Sequence, residues 1–324
     1  MSLLRAAGAL AIAGLLCACS ASQSVPASNR FVPEGARSSV RTLPQNLRGI
    51  TYDDISSHCA TTQAQLKTEQ LLNQPAIRVV FDPIKASCYA TAVTNLDRYG
   101  YTMGELVDSS SMKRYTLSQV KSRAKDYLTT LGGGIDLWEI GNEVNGEWLS
   151  RVHCPTQHEC AAQAHDVMAK VEAMYDAVTA KGYATELTLY YQGSKTVTPG
   201  YEMLPWEQTY VPSRMHAGLR YVLVSYYEAG NNGIRPSHAE LDGIFRTLAQ
   251  DFPNAKIGFG EIGMAHPIAQ SSLSKAEDIF SYYQTLSFAN VPSYTRAGFW
   301  WYSAEDLVPS TKWPAFFTEV QSKL

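Results

Sequence analysis

The chain has 324 residues, a formal net charge of −3 at pH 7 and six cysteines. No run of basic residues is present, which argues against a nucleic acid partner and favours a neutral substrate. Beyond the first 19 residues, no stretch is apolar over enough residues to cross a membrane.

The N-terminus has the pattern of a secretory signal. Arg5 precedes an apolar run over residues 6–16, which is about 11 residues and too short to span a bilayer. Residues 16–19, Leu-Cys-Ala-Cys, resemble a bacterial lipobox, in which the last cysteine is lipidated and becomes the mature N-terminus. Cleavage by an ordinary signal peptidase near Ala21 is the alternative. We expect an exported protein, periplasmic or at the cell surface, anchored to the membrane by a lipid on Cys19.

Two segments follow this signal, which covers residues 1–19. Residues 20–46 are rich in Ser, Ala, Pro and Arg without apolar periodicity, which predicts a flexible linker. The remainder, 47–324, is about 280 residues, a size that suits a single (β/α)8-barrel domain. We expect this domain to be a monomer.

Short apolar or β-branched runs alternate with segments of helical spacing from residue 47 to the end. The predicted strands are Leu47–Asp53, Ala76–Asp82, Tyr101–Val107, Ile135–Asn142, Glu186–Tyr191, Arg220–Tyr227, Lys256–Glu261 and Ala297–Tyr302. The predicted helices are Thr61–Gln74, Cys88–Arg98, Thr116–Leu131, His158–Lys181, Trp206–Ala217, Ser237–Asp251, Ser272–Ala289 and Trp313–Lys323.

Eight strands alternating with eight helices indicate parallel βα units. Because the alternation continues to the end of the chain, a closed (β/α)8 TIM barrel is favoured over an open doubly wound sheet. No Gly-x-Gly-x-x-Gly follows the first strand, so a dinucleotide-binding fold has no support.

Four cysteines remain after the signal, and an even number in an exported chain favours two disulfides. Three pairings of Cys59, Cys88, Cys154 and Cys160 are possible. The simplest joins Cys59 to Cys88 and Cys154 to Cys160. Three histidines, His58, His153 and His158, lie near these cysteines. The spacing of these residues matches no zinc pattern, so we expect no metal and no cofactor.

Two glutamates stand at predicted strand ends. Glu143 follows Gly141-Asn142 at the end of the fourth strand, and Glu261 follows Gly260 at the end of the seventh. By composition, a Gly-Asn-Glu tripeptide occurs by chance in about one chain of this length in twenty. Catalytic residues of TIM barrels lie at the C-terminal ends of the strands, so the placement of both glutamates carries more weight than the tripeptide.

This pair resembles the catalytic glutamates of the clan A glycoside hydrolase superfamily. Its acid/base lies on strand 4 after an asparagine, here Asn142-Glu143, and its nucleophile on strand 7, here Glu261. Arg78, in Ile-Arg-Val-Val on strand 2, resembles the arginine that hydrogen-bonds the nucleophile. Tyr227, in Ser-Tyr-Tyr on strand 6, resembles the tyrosine that contacts it. The motifs are short, so they identify the clan and not a family within it.

The same resemblance implies an indole beneath the sugar from strand 8. Phe-Trp-Trp at residues 299–301 offers Trp300 and, less favoured, Trp301. Trp148, Trp206 and Trp313 follow strands 4, 5 and 8 and could border the same face, where sugars stack on indoles. Each of these three could equally belong to the core. We expect Glu139, Glu147 and Glu228 to be solvated surface charges.

The resemblance implies a retaining glycosidase that cleaves a β-linked poly- or oligosaccharide. In such enzymes the two carboxyl groups lie about 5–5.5 Å apart. Glu143 would be the acid and then the base, Glu261 the nucleophile, and Asn142 a donor to the sugar 2-hydroxyl. The loop tryptophans favour endo action. Two alternatives stay open: a non-catalytic glycan-binding lipoprotein on the same scaffold, and a transglycosylase that remodels an exported polysaccharide.

Overall fold

A computed structural model describes residues 41–146, 157–193, 200–264, 268–299 and 304–323. Eight parallel strands within them close into one barrel, in which each strand pairs with the next along the chain and the eighth pairs with the first. The strands are β1 Arg48–Tyr52, β2 Ala76–Val80, β3 Tyr101–Glu105, β4 Leu137–Glu139, β5 Ala184–Tyr190, β6 Tyr221–Tyr226, β7 Lys256–Ile262 and β8 Gly298–Phe299. The predicted TIM barrel is confirmed.

Helices connect the strands on the outside of the barrel. Those in the described residues are α1 Gln63–Leu71, α2 Ala90–Leu96, α3 Ser109–Met112, α4 Leu117–Leu131, α5 Gln157–Thr179, α6 Met203–Tyr210, α7 Ser213–Gly218, α8 His238–Asp251, α9 Leu273–Thr285 and α10 Pro314–Lys323. Thr62 and Thr116 each begin a helix with a capping box, closed by Gln65 and Gln119. These reciprocal bonds satisfy backbone donors that the first turn leaves free.

The predicted helix over 206–217 is two helices in the structure. The chain breaks between α6 and α7 at Val211-Pro212, where Val211 is extended and Pro212 precedes the first residue of α7. A proline disfavours the helical conformation of the residue before it and lacks the N–H that would continue the helix. The short helix α3 has no counterpart in the prediction.

The last residues of the predicted linker lie against the N-terminal end of the barrel. Arg41 donates to Asp136, just before β4, and to Asp97. Lys256, the first residue of β7, and Thr295 both hold Gln45. The boundary predicted at residue 47 is therefore too late, because ion pairs and hydrogen bonds fix residues 41–46 although no apolar periodicity marks them.

A disulfide joins Cys59, which follows β1, to Cys88, which follows β2. This confirms half of the simplest predicted pairing. Cys160 is also disulfide-bonded, but Cys154 and Cys19 lie outside the described residues. Within the described ranges, no helix has the length and apolarity needed to span a membrane.

Candidate active site

Arg78 is the centre of a buried ion cluster. It lies on β2, its side chain is 1% exposed, and it donates to three carboxylates. Nη1 donates to Oε1 of Glu261 at 2.7 Å, Nε to Oε2 of Glu139 at 2.7 Å, and Nη2 to Oε2 of Glu105 at 2.9 Å. Burial opposes the charge, but the negative charges of Glu139, Glu105 and Glu261 raise the pKa of Arg78 well above its usual value. The guanidinium is therefore a fixed cation.

Glu261, near the end of β7, is held through both carboxylate oxygens. Besides Arg78, Oε1 accepts from Nδ2 of Asn142 at 3.3 Å. Oε2 accepts from the Tyr227 hydroxyl at 2.6 Å. The contacts predicted for Arg78 and Tyr227 are therefore present. These charge-assisted and neutral hydrogen bonds hold the carboxylate in one orientation, as a nucleophile requires.

The Tyr227 hydroxyl faces two negative groups. Burial, the charges of Glu261 and Glu143, and the hydrogen bond to Glu261 raise the pKa of Tyr227 well above its usual value. The phenol therefore stays protonated and donates. The contact that joins the turn after β4 to β7 is the hydrogen bond from Asn142, the residue before Glu143, to Glu261.

Glu143 lies on the turn that follows β4. Its side chain is 5% exposed and its backbone is left-handed, with φ of +49°. A non-glycine residue in this region carries strain that surrounding contacts must maintain. A Cβ on Gly141 would lie 2.6 Å from Cγ1 of Val144, so the turn requires glycine at the first position of the tripeptide. The Gly-Asn-Glu tripeptide therefore allows the backbone conformation of this turn and also supplies the side chains of Asn142 and Glu143.

Asn145 fixes this turn from the other side. Its Nδ2 donates to the carbonyl oxygens of Tyr190 and Tyr201 at 2.8 and 3.0 Å, and its Oδ1 accepts from the N–H of Tyr190 at 2.7 Å. The side chain is fully buried. Sequence reasoning missed this residue, which ties the turn carrying Glu143 to the end of β5.

The side chain of Asn142 contacts Glu261, the candidate nucleophile. Its Nδ2 also donates to Oγ of Ser109 at 3.1 Å, and its buried Oδ1 has no hydrogen-bond partner among the described residues. Ser109 is the first residue of α3, a helix that the sequence did not predict. The expected contact of Asn142 with a sugar hydroxyl remains a prediction.

Two glutamates expected on the surface are buried. Glu139 is 1% exposed and is an Arg78 partner, so the expectation for it was wrong. Glu228 is 4% exposed and pairs with Arg235. Buried carboxylates need a cation or hydrogen-bond donors; the cation of Glu139 lies 61 positions away in the sequence, whereas that of Glu228 lies only seven away. Glu147 lies outside the described residues.

Three glutamates form a row across neighbouring strands. The strand pairing sets Glu105 on β3 opposite Glu139 on β4, and Glu139 opposite Glu186 on β5. Burial raises the pKa of all three, and most for Glu105 and Glu186. Sequence reasoning missed Glu105, Glu186 and the Thr188 beside them. The available signal was a charged residue inside an otherwise apolar strand, since such a charge requires a partner.

The predicted tryptophans have different outcomes. Trp206 is 2% exposed and packs in the core against Tyr210, with ring centroids 5.3 Å apart. Its prediction as a sugar platform is therefore wrong, because no face of the indole is open. Trp313 packs partly buried against the same core. Trp148, Trp300 and Trp301 lie outside the described residues. No cluster of His, Cys, Asp and Glu suited to a metal ion occurs in the described part of the chain.

No protein-family model matches this sequence, and no curated protein sequence matches it. Solved structures do. The GH1 β-glucosidase from Exiguobacterium antarcticum has a TM-score of 0.55 at 12% identity, with 81% of this chain and 89% of that chain covered. The Thermotoga maritima β-glucosidase, solved with cyclophellitol, has a TM-score of 0.53 at 9% identity, with the same coverage of 81% and 89%.

A third similar structure is Saccharomyces cerevisiae Gas2p, solved with laminaritriose and laminaritetraose. Its TM-score is 0.50 at 13% identity, with 86% of this chain covered. This chain spans 65% of that protein's chain. The structural neighbours are clan A glycoside hydrolases. At these identities the likeness establishes the shared fold.

Proposed function

We propose that this protein is a retaining glycoside hydrolase that cleaves a β-linked poly- or oligosaccharide. The observation that carries the proposal is the setting of Glu261. Its carboxylate accepts hydrogen bonds from Arg78, Tyr227 and Asn142. The charge of Glu143 also raises the pKa of Tyr227. A fixed carboxylate beside a second carboxyl group at the C-terminal end of a barrel is the arrangement that double displacement needs.

The roles follow from this geometry. Glu261 attacks the anomeric carbon while Glu143 protonates the leaving glycosidic oxygen, which gives a covalent glycosyl-enzyme. Glu143 then takes a proton from the incoming water as that water releases the sugar from Glu261. Arg78 and Tyr227 hold Glu261 in place during both steps. Asn142 directly precedes Glu143 in the sequence and its Nδ2 donates to Glu261, a position that suits a donor to the sugar 2-hydroxyl.

A polysaccharide screen with reducing-end detection tests the activity. The wild type should release reducing ends from at least one β-glycan, and Glu261→Gln and Glu143→Gln should each lower the rate by a factor on the order of 1,000 or more. Glu228→Gln is the matched control, because Glu228 is buried to the same extent but pairs with Arg235 instead of Arg78. Glycan binding without turnover in the wild type would favour the non-catalytic alternative.

The stereochemistry of the first product tests the role of Glu261. NMR should show a retained anomeric configuration, since two displacements at one carbon restore it. Inversion would exclude Glu261 as nucleophile. Product lengths separate hydrolysis from transglycosylation, because a transglycosylase accumulates oligomers longer than its substrate. We also propose that the protein is exported and anchored by a lipid on Cys19. In a membrane fractionation of producing cells, Cys19→Ala should move the protein from the membrane fraction to the soluble fraction.

A further inference from the structure

The Thr188 hydroxyl lies between two buried carboxyl groups. Its Oγ1 is 2.8 Å from Oε1 of Glu139 and 2.9 Å from Oε1 of Glu186, and all three side chains are at most 1% exposed. A hydroxyl carries a single hydrogen. It can donate to one of these oxygens only, so the other short contact needs a hydrogen from the carboxyl group. One of the two glutamates must therefore be protonated.

The surroundings decide which glutamate holds this proton. Oε2 of Glu139 accepts from Nε of Arg78 at 2.7 Å, an ion pair that favours the charged form. Glu186 has no ion-pair partner in the described part of the chain. After burial, the negative charge of Glu139 on β4 is the largest effect that raises the pKa of Glu186. The remaining charges of the cluster are Glu105 on β3 and Glu261 on β7, both bonded to Arg78. The neutral carboxyl group is therefore that of Glu186.

We propose that Glu186 is a neutral positioning residue that supports the candidate nucleophile through a chain of hydrogen bonds. Glu186 donates to Thr188, Thr188 donates to Glu139, and Glu139 accepts from Nε of Arg78. With Nε occupied, the guanidinium is oriented so that Nη1 points at Glu261. Burial and the charge of Glu139, which raise the pKa of Glu186, agree with this protonation. The proposal rests on the proposed function for its effect on turnover, but not for the protonation itself.

Conservative and disruptive variants test the chain of bonds. Glu186→Gln keeps a donor for Thr188 and should hold kcat within about twofold, whereas Glu186→Met removes the donor and should lower kcat about tenfold. Thr188→Ser should likewise retain activity, and Thr188→Val should lose about tenfold. KM should change little in all four, because both side chains are at most 1% exposed. Equal losses for Gln and Met at residue 186 would overturn the proposal.

The pH dependence of unfolding tests the protonation without any substrate. If Glu186 is neutral in the fold and ionised when unfolded, the wild type loses stability relative to Glu186→Gln as pH rises. The ratio of their unfolding constants should change about tenfold per pH unit between pH 5 and 7. A constant ratio would overturn the proposal. Because this measurement needs only folded protein, it stands even if the wild type hydrolyses no glycan.

Glu69→Gln is the matched control. Glu69 is fully buried on α1, accepts a hydrogen bond from Tyr52 at 2.6 Å, and has a pKa raised to about 8 by burial. The same substitution there should change the pH dependence of unfolding in the same direction while kcat keeps its wild-type value. A fall in kcat for Glu69→Gln as large as that for Glu186→Met would show that loss of a buried acid harms turnover wherever it lies, which would contradict a specific role for Glu186.

Discussion

At the scale of single residues, the site depends on one cation shared among several acids. Arg78 bonds Glu105, Glu139 and Glu261, each through a different nitrogen. A planar guanidinium with donors at fixed angles can serve three carboxylates at once, and an ammonium group lacks this fork. The geometry of the nucleophile candidate is therefore set by the shape of the arginine as well as by its charge.

We predict that Arg78→Lys folds but is weakened. Lysine keeps the charge and cannot reach all three carboxylates, so at least one is left buried without its cation, at a cost of about 3 kcal/mol. Turnover should fall on the order of 100-fold, since Glu261 loses a directed donor. Urea denaturation and initial rates measure the two effects. A lysine variant with wild-type stability and rate would contradict the role assigned to the fork.

At the scale of elements, the turn after β4 is the part that the site most depends on. It combines a left-handed Glu143 with the buried side chain of Asn145, which bonds the backbone of Tyr190 and Tyr201. Because a strained residue keeps its conformation only where its neighbours impose it, Asn145 acts as the restraint that holds Glu143 in place.

We predict that Asn145→Ala lowers both stability and turnover. Three hydrogen bonds are lost and their backbone partners stay buried, so the cost should be about 2–4 kcal/mol. Asn145→Asp keeps the acceptor for the N–H of Tyr190 but sets a carboxylate against two carbonyl oxygens, and should be at least as damaging. Thermal unfolding and initial rates check both. Unchanged turnover in a destabilised alanine variant would show that Glu143 does not need this restraint.

Local periodicity was sufficient to predict the eight strands and the barrel, but it missed α3 and the break between α6 and α7. Runs such as Lys256–Glu261 match β7 within one residue, and both glutamates of the proposed pair fall where the strand ends were predicted. Local patterns did not predict the buried acids, because the cation that makes Glu139 a core residue lies 61 positions away. The same limit explains Trp206, whose burial depends on how α6 packs.

At the scale of the whole molecule, the described residues include more buried acidic side chains than buried basic ones, and this makes the stability of the protein depend on pH. Burial raises the pKa of Glu69 to about 8. A group with a raised pKa in the fold is protonated there, so its contribution to stability is complete below about pH 4.3, the unfolded value, and is lost as pH rises through 8. Acids of this kind shift the pH of greatest stability towards the acid side.

We predict that Glu69→Gln removes part of this pH dependence. The difference in unfolding free energy between variant and wild type should grow by about 1.4 kcal/mol per pH unit from about pH 4.5 to 8 and then level off. Glutamine keeps the acceptor for Tyr52, so the native contact stays. Urea denaturation at five or six pH values measures the trend. A difference that is constant over this range would mean that Glu69 is ionised in the fold.

The proposed catalytic groups and residues 41–46 lie at opposite ends of the barrel. The proposed catalytic groups lie at the C-terminal ends of the strands, and residues 41–46 cross the N-terminal ends, where Arg41 binds Asp136 and Asp97. Asp136 is 1% exposed. Residues 41–46 therefore contact the barrel at the end opposite to the proposed catalytic groups.

We predict that the entering segment is part of the folded domain. A chain that begins at residue 36 should unfold with wild-type stability, whereas one that begins at residue 47 should lose about 3 kcal/mol because Asp136 is left buried without its cation. Arg41→Gln in the longer chain should account for most of that loss, which separates the ion pair from the other contacts. Equal melting temperatures for the two chains would mean that residues 41–46 contribute nothing and that the domain begins at β1.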